Sequence, residues 1–267
     1  MKAVHSLGTP MTDEQYASHW SIESVNHNRL NDYDWMASFI DANSMILDAG
    51  CGNGLGCIAM LKKGCSVIAI EANEHLAMQA IENVQAAGFS TKLINLNSAS
   101  FEEIESGVNF QILLGSLFSE HVNNVAKSFE FDYVTNWLFG ASPYRAAEEL
   151  KKSIVELDAG YAREYRENAT IACQRLSKLS KNKECKLHYT LRSAYEKDTP
   201  KSIAIALFTD EQNELFFNSN MVKPENINLR KNNSMMSPSS SQMKYIATNP
   251  NSSIPSNIKP VIVSIVI

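Results

Sequence analysis

Met45-Ile46-Leu47-Asp48-Ala49-Gly50-Cys51-Gly52-Asn53-Gly54-Leu55-Gly56 is an apolar strand that runs into a glycine turn, with an acid at its exit. Gly50, Gly52 and Gly54 can take backbone angles closed to other residues and let a ligand approach the main chain where a strand hands over to a helix. The stretch predicts a nucleotide-like ligand. Downstream, Val67-Ile68-Ala69-Ile70 reads as a short buried strand that ends on Glu71, followed by a helical stretch from Asn73 to Ala87. Ligands of open α/β sheets bind outside the carboxyl ends of the strands, and a carboxylate there can accept both hydroxyls of a ribose.

Outward from the turn, a strand covers Ser44 to Ala49, and a helix follows to about Lys63, with Gly64 placed as a C-terminal cap. A second strand runs from Ser66 to Glu71, its helix ends near Gly88, and a third strand runs from Thr91 to Leu96. The three β–α units alternate as a doubly wound parallel sheet requires. The span from about Phe101 to Phe129 reads as a helix with an inserted turn, and a fourth strand at Phe131–Thr135 leads into Asn136-Trp137-Leu138-Phe139-Gly140. A helical region from about Ala146 to Leu179 carries Leu150, Ile154, Leu157, Tyr161 and Tyr165 at near-helical spacing, after a start signal at Ser142-Pro143-Tyr144. Lys186–Leu191 reads as a fifth strand, and Ser202–Phe208 pairs with Leu215–Ser219 as an antiparallel hairpin. Three segments result: a helical N-terminal cap over residues 1–42, a central α/β unit over 43–230, and residues 231–267. The last combines an Asn/Ser/Pro-rich flexible stretch with an apolar terminal strand, Pro260–Ile267.

Composition narrows the function. A chain of 267 residues with 44% hydrophobic residues can bury one substantial α/β core. A formal charge of −5 supplies no basic field for phosphate backbones, so nucleic acid is an unlikely partner. Cys51, Cys57, Cys65, Cys173 and Cys185 form no C-x-x-C pair and read as reduced, packed thiols, and no histidine spacing suggests a metal. No secretory signal is visible and the terminal apolar run is far shorter than a bilayer span, so the expected location is cytoplasmic with no membrane partner.

Asp48 to Gly54 resembles the first motif of the class I S-adenosylmethionine-dependent methyltransferases, (D/E)-x-G-x-G-x-G, at all seven positions. A nicotinamide-binding unit prefers G-x-G-x-x-G, and here Leu55 or Cys57 stands where its last glycine belongs. The resemblance implies a Rossmann-like methyltransferase fold, with a mostly parallel seven-stranded sheet and an antiparallel terminal hairpin. It also implies S-adenosyl-L-methionine as cofactor. Gly50, Cys51, Gly52 and Gly54 then supply close backbone contact to the donor's methionine part, Asp48 orders the loop, and Glu71 binds the ribose. In this family an acid after the third strand often bonds the adenine amino group; Asn97-Ser98-Ala99 stand there, with serine in the acid's place.

N-terminal helices of this fold commonly lie over the cofactor, which nominates Tyr16, His19 and Trp20 for donor or acceptor contact. Asn136 occupies the position where amino-group methyltransferases carry N-P-P-Y or N-P-P-F, and Phe139 falls at the aromatic place, but both prolines are absent. Asn136 could accept a hydrogen bond from an attacking amine, and Trp137 or Phe139 could face a cationic sulfonium or stack on a flat acceptor. His121 is the candidate general base, because imidazole titrates nearest neutral pH. The expected acceptor is a small molecule before a protein. The alternatives are a noncatalytic cofactor-binding or protein-interaction module with the same fold, and an NAD-dependent oxidoreductase.

Overall fold

The structure is a computed structural model that describes residues 11–96, 104–105, 107–157, 160–218, 220–234 and 257–267. Among the described residues two helices precede the sheet: α1 (Asp13–Arg29) and α2 (Asp32–Ala37). α1 starts at a reciprocal cap, in which the Gln15 amide donates to Thr12 Oγ1 at 3.2 Å and the Thr12 amide to Gln15 Oε1 at 3.0 Å. Then β1 (Met45–Ala49), α3 (Leu55–Leu61), β2 (Ser66–Glu71), α4 (Glu74–Ala86) and β3 (Thr91–Asn95) alternate as the sequence requires. Gly64, at φ +81°, turns the chain after α3.

Beyond β3 the chain departs from its sequence reading in four places. The span taken as one helix with a turn contains β4 (Phe110–Leu114) followed by α5 (Glu120–Ser128). β4 pairs parallel with both β3 and β2, so among the described residues the sheet has eight strands rather than seven. A short apolar run buried on both faces carries no alternation, which is why its period does not distinguish it from a helix. After β5 (Tyr133–Trp137), the expected long helix is two helices, α6 (Pro143–Glu149) and α7 (Tyr161–Leu179), with a 3-10 turn at Ile154–Glu156 between them. Lys151 takes φ +53° just past α6 and ends it there.

β6 (Lys186–Glu196) is followed by α8 (Lys201–Leu215) where a hairpin of Ser202–Phe208 with Leu215–Ser219 was expected. The run Ile203–Phe208 has strand-like composition, but in α8 Ala204, Phe208 and Gln212 are buried, four apart on one helical face, with Thr209 beside them. The antiparallel end is built instead by β7 (Ile227–Lys231) and β8 (Ile258–Val266), with β8 lying between β6 and β7. The terminal apolar strand thus completes the same sheet.

The strand order is β3-β4-β2-β1-β5-β6-β8-β7. From β1 the chain steps one way to β2 and the other way to β5, so the carboxyl end of β1 is the topological switch point of the sheet. One apolar layer packs α1 to α4 on one face, around Met36, Ile46, Met60 and Phe110. The other packs α5 to α8 around Phe131, Val134, Leu176 and Tyr189. Among the described residues no helix is long and apolar enough to cross a membrane, and no group of three or more His, Cys, Asp or Glu could hold a metal. All five cysteines are free thiols.

Candidate active site

The glycine turn at the switch point is locked from below. Asp48 is buried, with Oδ1 accepting from Thr135 Oγ1 at 2.5 Å and Oδ2 from Cys57 Sγ at 3.1 Å. Burial pushes its pKa up, opposed by those two bonds. Asp48 therefore ties β1 to β5 and α3 beneath the loop. Gly50, Gly52 and Gly54 stand at φ +76°, +56° and +80°, the left-handed region that their missing Cβ permits. Asn53 anchors the loop sideways, accepting from Ser24 Oγ at 2.6 Å through its side chain and from Asn83 Nδ2 at 2.9 Å through its carbonyl.

Glu71 completes the constellation across the β1–β2 pair. Its Oε2 accepts the Gly52 amide at 2.9 Å and its Oε1 the Asn73 amide at 2.9 Å. The carboxylate so fixes the glycine turn against the first turn of α4. Burial raises its pKa to about 7, with the amides of Asn73, Gly52 and Ala72 pulling the other way. A carboxylate with two amide partners keeps lone pairs for further donors.

A cavity of about 30 Å³ adjoins these groups, lined by Gly50, Glu71, Gly115, Leu117, Phe139 and Tyr165 among others. Asp13, Asn73, Ser142, Arg145 and Glu149 add a polar part to its lining. Phe139 stacks on Tyr165 with centroids 5.3 Å apart and an interplanar angle of 25°. A Cβ on Gly50 would fall 2.5 Å from the Phe139 ring, and one on Gly52 would fall 2.4 Å from Trp20 Nε1. Two aromatic residues from different elements thus cover the glycine turn. Leu138 takes φ +53°, held by bonds of 3.1 Å from its amide to Thr190, and this turn swings Phe139 onto Gly50.

The structure brings most sequence-nominated residues together and leaves others apart. Tyr16 is buried with its hydroxyl over Gly140, and Trp20 lies on Gly52, so both cap residues reach the site. His19 is only partly buried and its Nδ1 has no hydrogen-bond partner among the described residues. Trp137 packs against Gly56 and donates through Nε1 to His188 Nδ1 at 3.2 Å. His188 in turn meets Ser264 Oγ at 2.8 Å, and burial lowers its pKa to about 3, which keeps the ring neutral. Asn136 is turned toward α7, with Nδ2 on Cys173 Sγ at 3.5 Å, and is not part of the cavity lining. His121 lies exposed on the first turn of α5, also outside that lining. Asn97, Ser98 and Ala99 fall outside the described residues. The strand beside β2 is β4, so the loop facing Glu71 is Gly115–Leu117, with the Gly115 amide on the Glu71 carbonyl at 2.9 Å.

Sequence reasoning missed Asp13, Ser142, Arg145 and Glu149 in the cavity lining. Ser142 carried a signal as the cap before a helix-starting proline; a lone charge on a helix carries none.

The acid-tipped β2 and the left-handed glycine turn present the groups that a nucleoside-containing donor would use, and Phe139 and Trp20 cover that turn. Known proteins match part of the chain. Residues 43–153 match the family model for RNA cap guanine-N2 methyltransferase. An S-adenosyl-L-methionine-dependent Diels-Alderase of Neonectria sp. (strain DH2) is 37% identical over 67 residues, 25% of this chain and 28% of that protein. A ubiquinone biosynthesis O-methyltransferase of Pelagibacter ubique (strain HTCC1062) is 32% identical over 87 residues, 31% of this chain and 33% of that protein. The matches thus span about a third or less of these curated relatives. Among solved structures, a methyltransferase from Thiobacillus denitrificans in complex with S-adenosyl-L-homocysteine aligns over 93% of this chain and 97% of its own, with 13% identity and a TM-score of 0.44.

Proposed function

We infer that this chain is a class I S-adenosylmethionine-dependent methyltransferase, with its donor site at the carboxyl ends of β1 and β2. The observation that carries the reading is the Glu71 carboxylate bonded to the Gly52 amide, which sets an acidic strand end against a left-handed glycine turn. The sequence motif and the match over residues 43–153 support the same reading. An oxidoreductase would need a different glycine spacing, and a binding module alone is not favoured by the matches.

When bound, the donor supplies a sulfonium methyl that is reactive without further activation, so the chain's own work is binding, alignment and exclusion of water. Glu71 would accept the ribose hydroxyls; Gly50, Cys51, Gly52 and Gly54 would offer backbone to the methionine part, over a loop ordered by Asp48. Gly115–Leu117 would face the base. Phe139, Trp20 and Tyr16 would enclose the reacting pair, with Trp137 behind them. Asn136 and His121 point elsewhere in this conformation, so the proposed chemistry assigns neither a proton.

The proposed acceptor is a small molecule, consistent with the net charge of −5. A second reading, a guanine of capped RNA, is favoured by the description of the matching family. Methyl transfer from radiolabelled S-adenosylmethionine, run in parallel on fractionated small metabolites and on capped RNA, tests both. Label in a metabolite fraction alone supports the first, label in RNA replaces it with the second, and saturable donor binding without label in any acceptor favours a noncatalytic module.

A further inference from the structure

Asp13, the first residue of α1, is bonded from three directions. Ser142 Oγ donates to its Oδ1, Arg145 Nη2 donates to its Oδ2 at 3.2 Å, and Asn73 Nδ2 donates to its carbonyl at 2.8 Å. Ser142 is the N-cap of α6 and Asn73 that of α4, so one residue joins the chain segments that leave β5 and β2. Arg145 also reaches the Ala72 carbonyl at 3.4 Å, one residue past Glu71. Asp13, Ala72, Asn73, Ser142 and Arg145 all line the candidate donor cavity.

What hangs from Asp13 is the cover of the glycine turn. Tyr16 lies one helical turn along α1 with its hydroxyl over Gly140, and Trp20 one turn further with its indole over Gly52. The cavity beneath measures about 30 Å³, far below the roughly 300 Å³ or more that a drug-sized ligand occupies. The pinning charges are partly exposed, Asp13 by 31% and Arg145 by 27%, and Arg145 keeps a second carboxylate, Glu148 at 2.8 Å, if Asp13 leaves. Its Nε is buried with no hydrogen-bond partner among the described residues.

We propose that Asp13 is a positioning residue whose bonds to Ser142 and Arg145 latch α1 over the donor site, and that this latch opens to admit donor and release product. The proposal rests on the donor site proposed above. Release of Asp13 frees the first turns of α1 to carry Tyr16 and Trp20 off the loop, in the manner of a lid that sequesters a site from water.

Two measurements on the full chain test it. Stopped-flow tryptophan fluorescence with S-adenosylhomocysteine should show association and dissociation both about tenfold faster in Asp13→Asn and Arg145→Ala, with the dissociation constant little changed; Arg145→Lys should restore the slow rates. An unchanged association rate overturns the latch, as does weaker affinity arising from dissociation alone, which marks a plain structural contact. Hydrogen exchange of the ligand-free proteins should rise in residues 11–24 of both variants with the sheet unaffected, and unchanged exchange there overturns the proposal. If the wild-type chain does not bind S-adenosylhomocysteine, the donor reading fails and the exchange experiment decides the latch by itself. Arg145→Ala carries both measurements should Asp13→Asn not fold.

Discussion

Ionisation of Glu71 should govern both donor affinity and a separable part of the stability. Its carboxyl is buried, bonded to two backbone amides, and raised from 4.5 to about 7 chiefly by burial. Because the folded pKa lies above the unfolded one, the protonated form contributes stability that is fully present below pH 4.5 and is lost as pH rises through 7. At about 1.4 kcal/mol per pH unit, that loss amounts to about 3 kcal/mol. Glu71→Gln removes it, so the wild-type minus variant stability should fall by about that amount between pH 4.5 and 8 in urea titrations. The glutamine can satisfy one amide with its oxygen, but its own NH2 opposes the other, an offset of about 1–3 kcal/mol that does not vary with pH.

Ligand binding should move the opposite way. A ribose diol donates to the ionised carboxylate, whose fraction rises from about one tenth at pH 6 to about nine tenths at pH 8. The dissociation constant for S-adenosylhomocysteine, measured by calorimetry, should then tighten about tenfold over that range. In Glu71→Gln it should be flat with pH and about 10–150-fold weaker at pH 8, matching a lost charged hydrogen bond of about 1.5–3 kcal/mol. Affinity in the wild type that ignores pH, or a pH slope surviving in the variant, would refute the role assigned to Glu71.

Other expectations follow from single contacts. Gly52→Ala sets a Cβ 2.4 Å from Trp20 Nε1 at φ +56°, and should cost about 1–3 kcal/mol in denaturant titration; adding Trp20→Ala should recover the steric part but not the backbone part. His188 has its pKa lowered from 6.5 to about 3, so its stabilisation is present above pH 6.5 and lost as pH falls toward 3. His188→Gln should abolish up to about 5 kcal/mol of that acid-side loss, and an unaltered acid transition would show that the ring is not held neutral. Lys151→Gly, at an exposed φ of +53°, should raise the unfolding midpoint by the equivalent of about 1 kcal/mol, the left-handed cost less glycine's added chain entropy.

The part of the fold legible in the sequence was the part governed by local rules. The apolar strand, the glycine turn and the acid-tipped second strand each follow from backbone freedom or short-range periodicity, and Asp48, Gly50, Gly52, Gly54 and Glu71 all meet in space. The failures share a cause. Phe110–Leu114 and Ile203–Phe208 are both short apolar runs, yet one is a strand inside the sheet and the other a helix against it. The choice depends on partners far away in sequence.

By itself the sequence determined where the chain must turn left-handed and where an acid ends a buried strand, because those demands are met within a few residues. Only the tertiary structure decided that β4 lies beside β2 and that Asn136 faces Cys173 rather than the cavity. It alone brought Asp13, 129 positions before Ser142, to the lining of the cavity. Strand order, the direction in which a strand residue faces and cross-chain polar contacts arise from packing whole elements together, and no local pattern of residues encodes them.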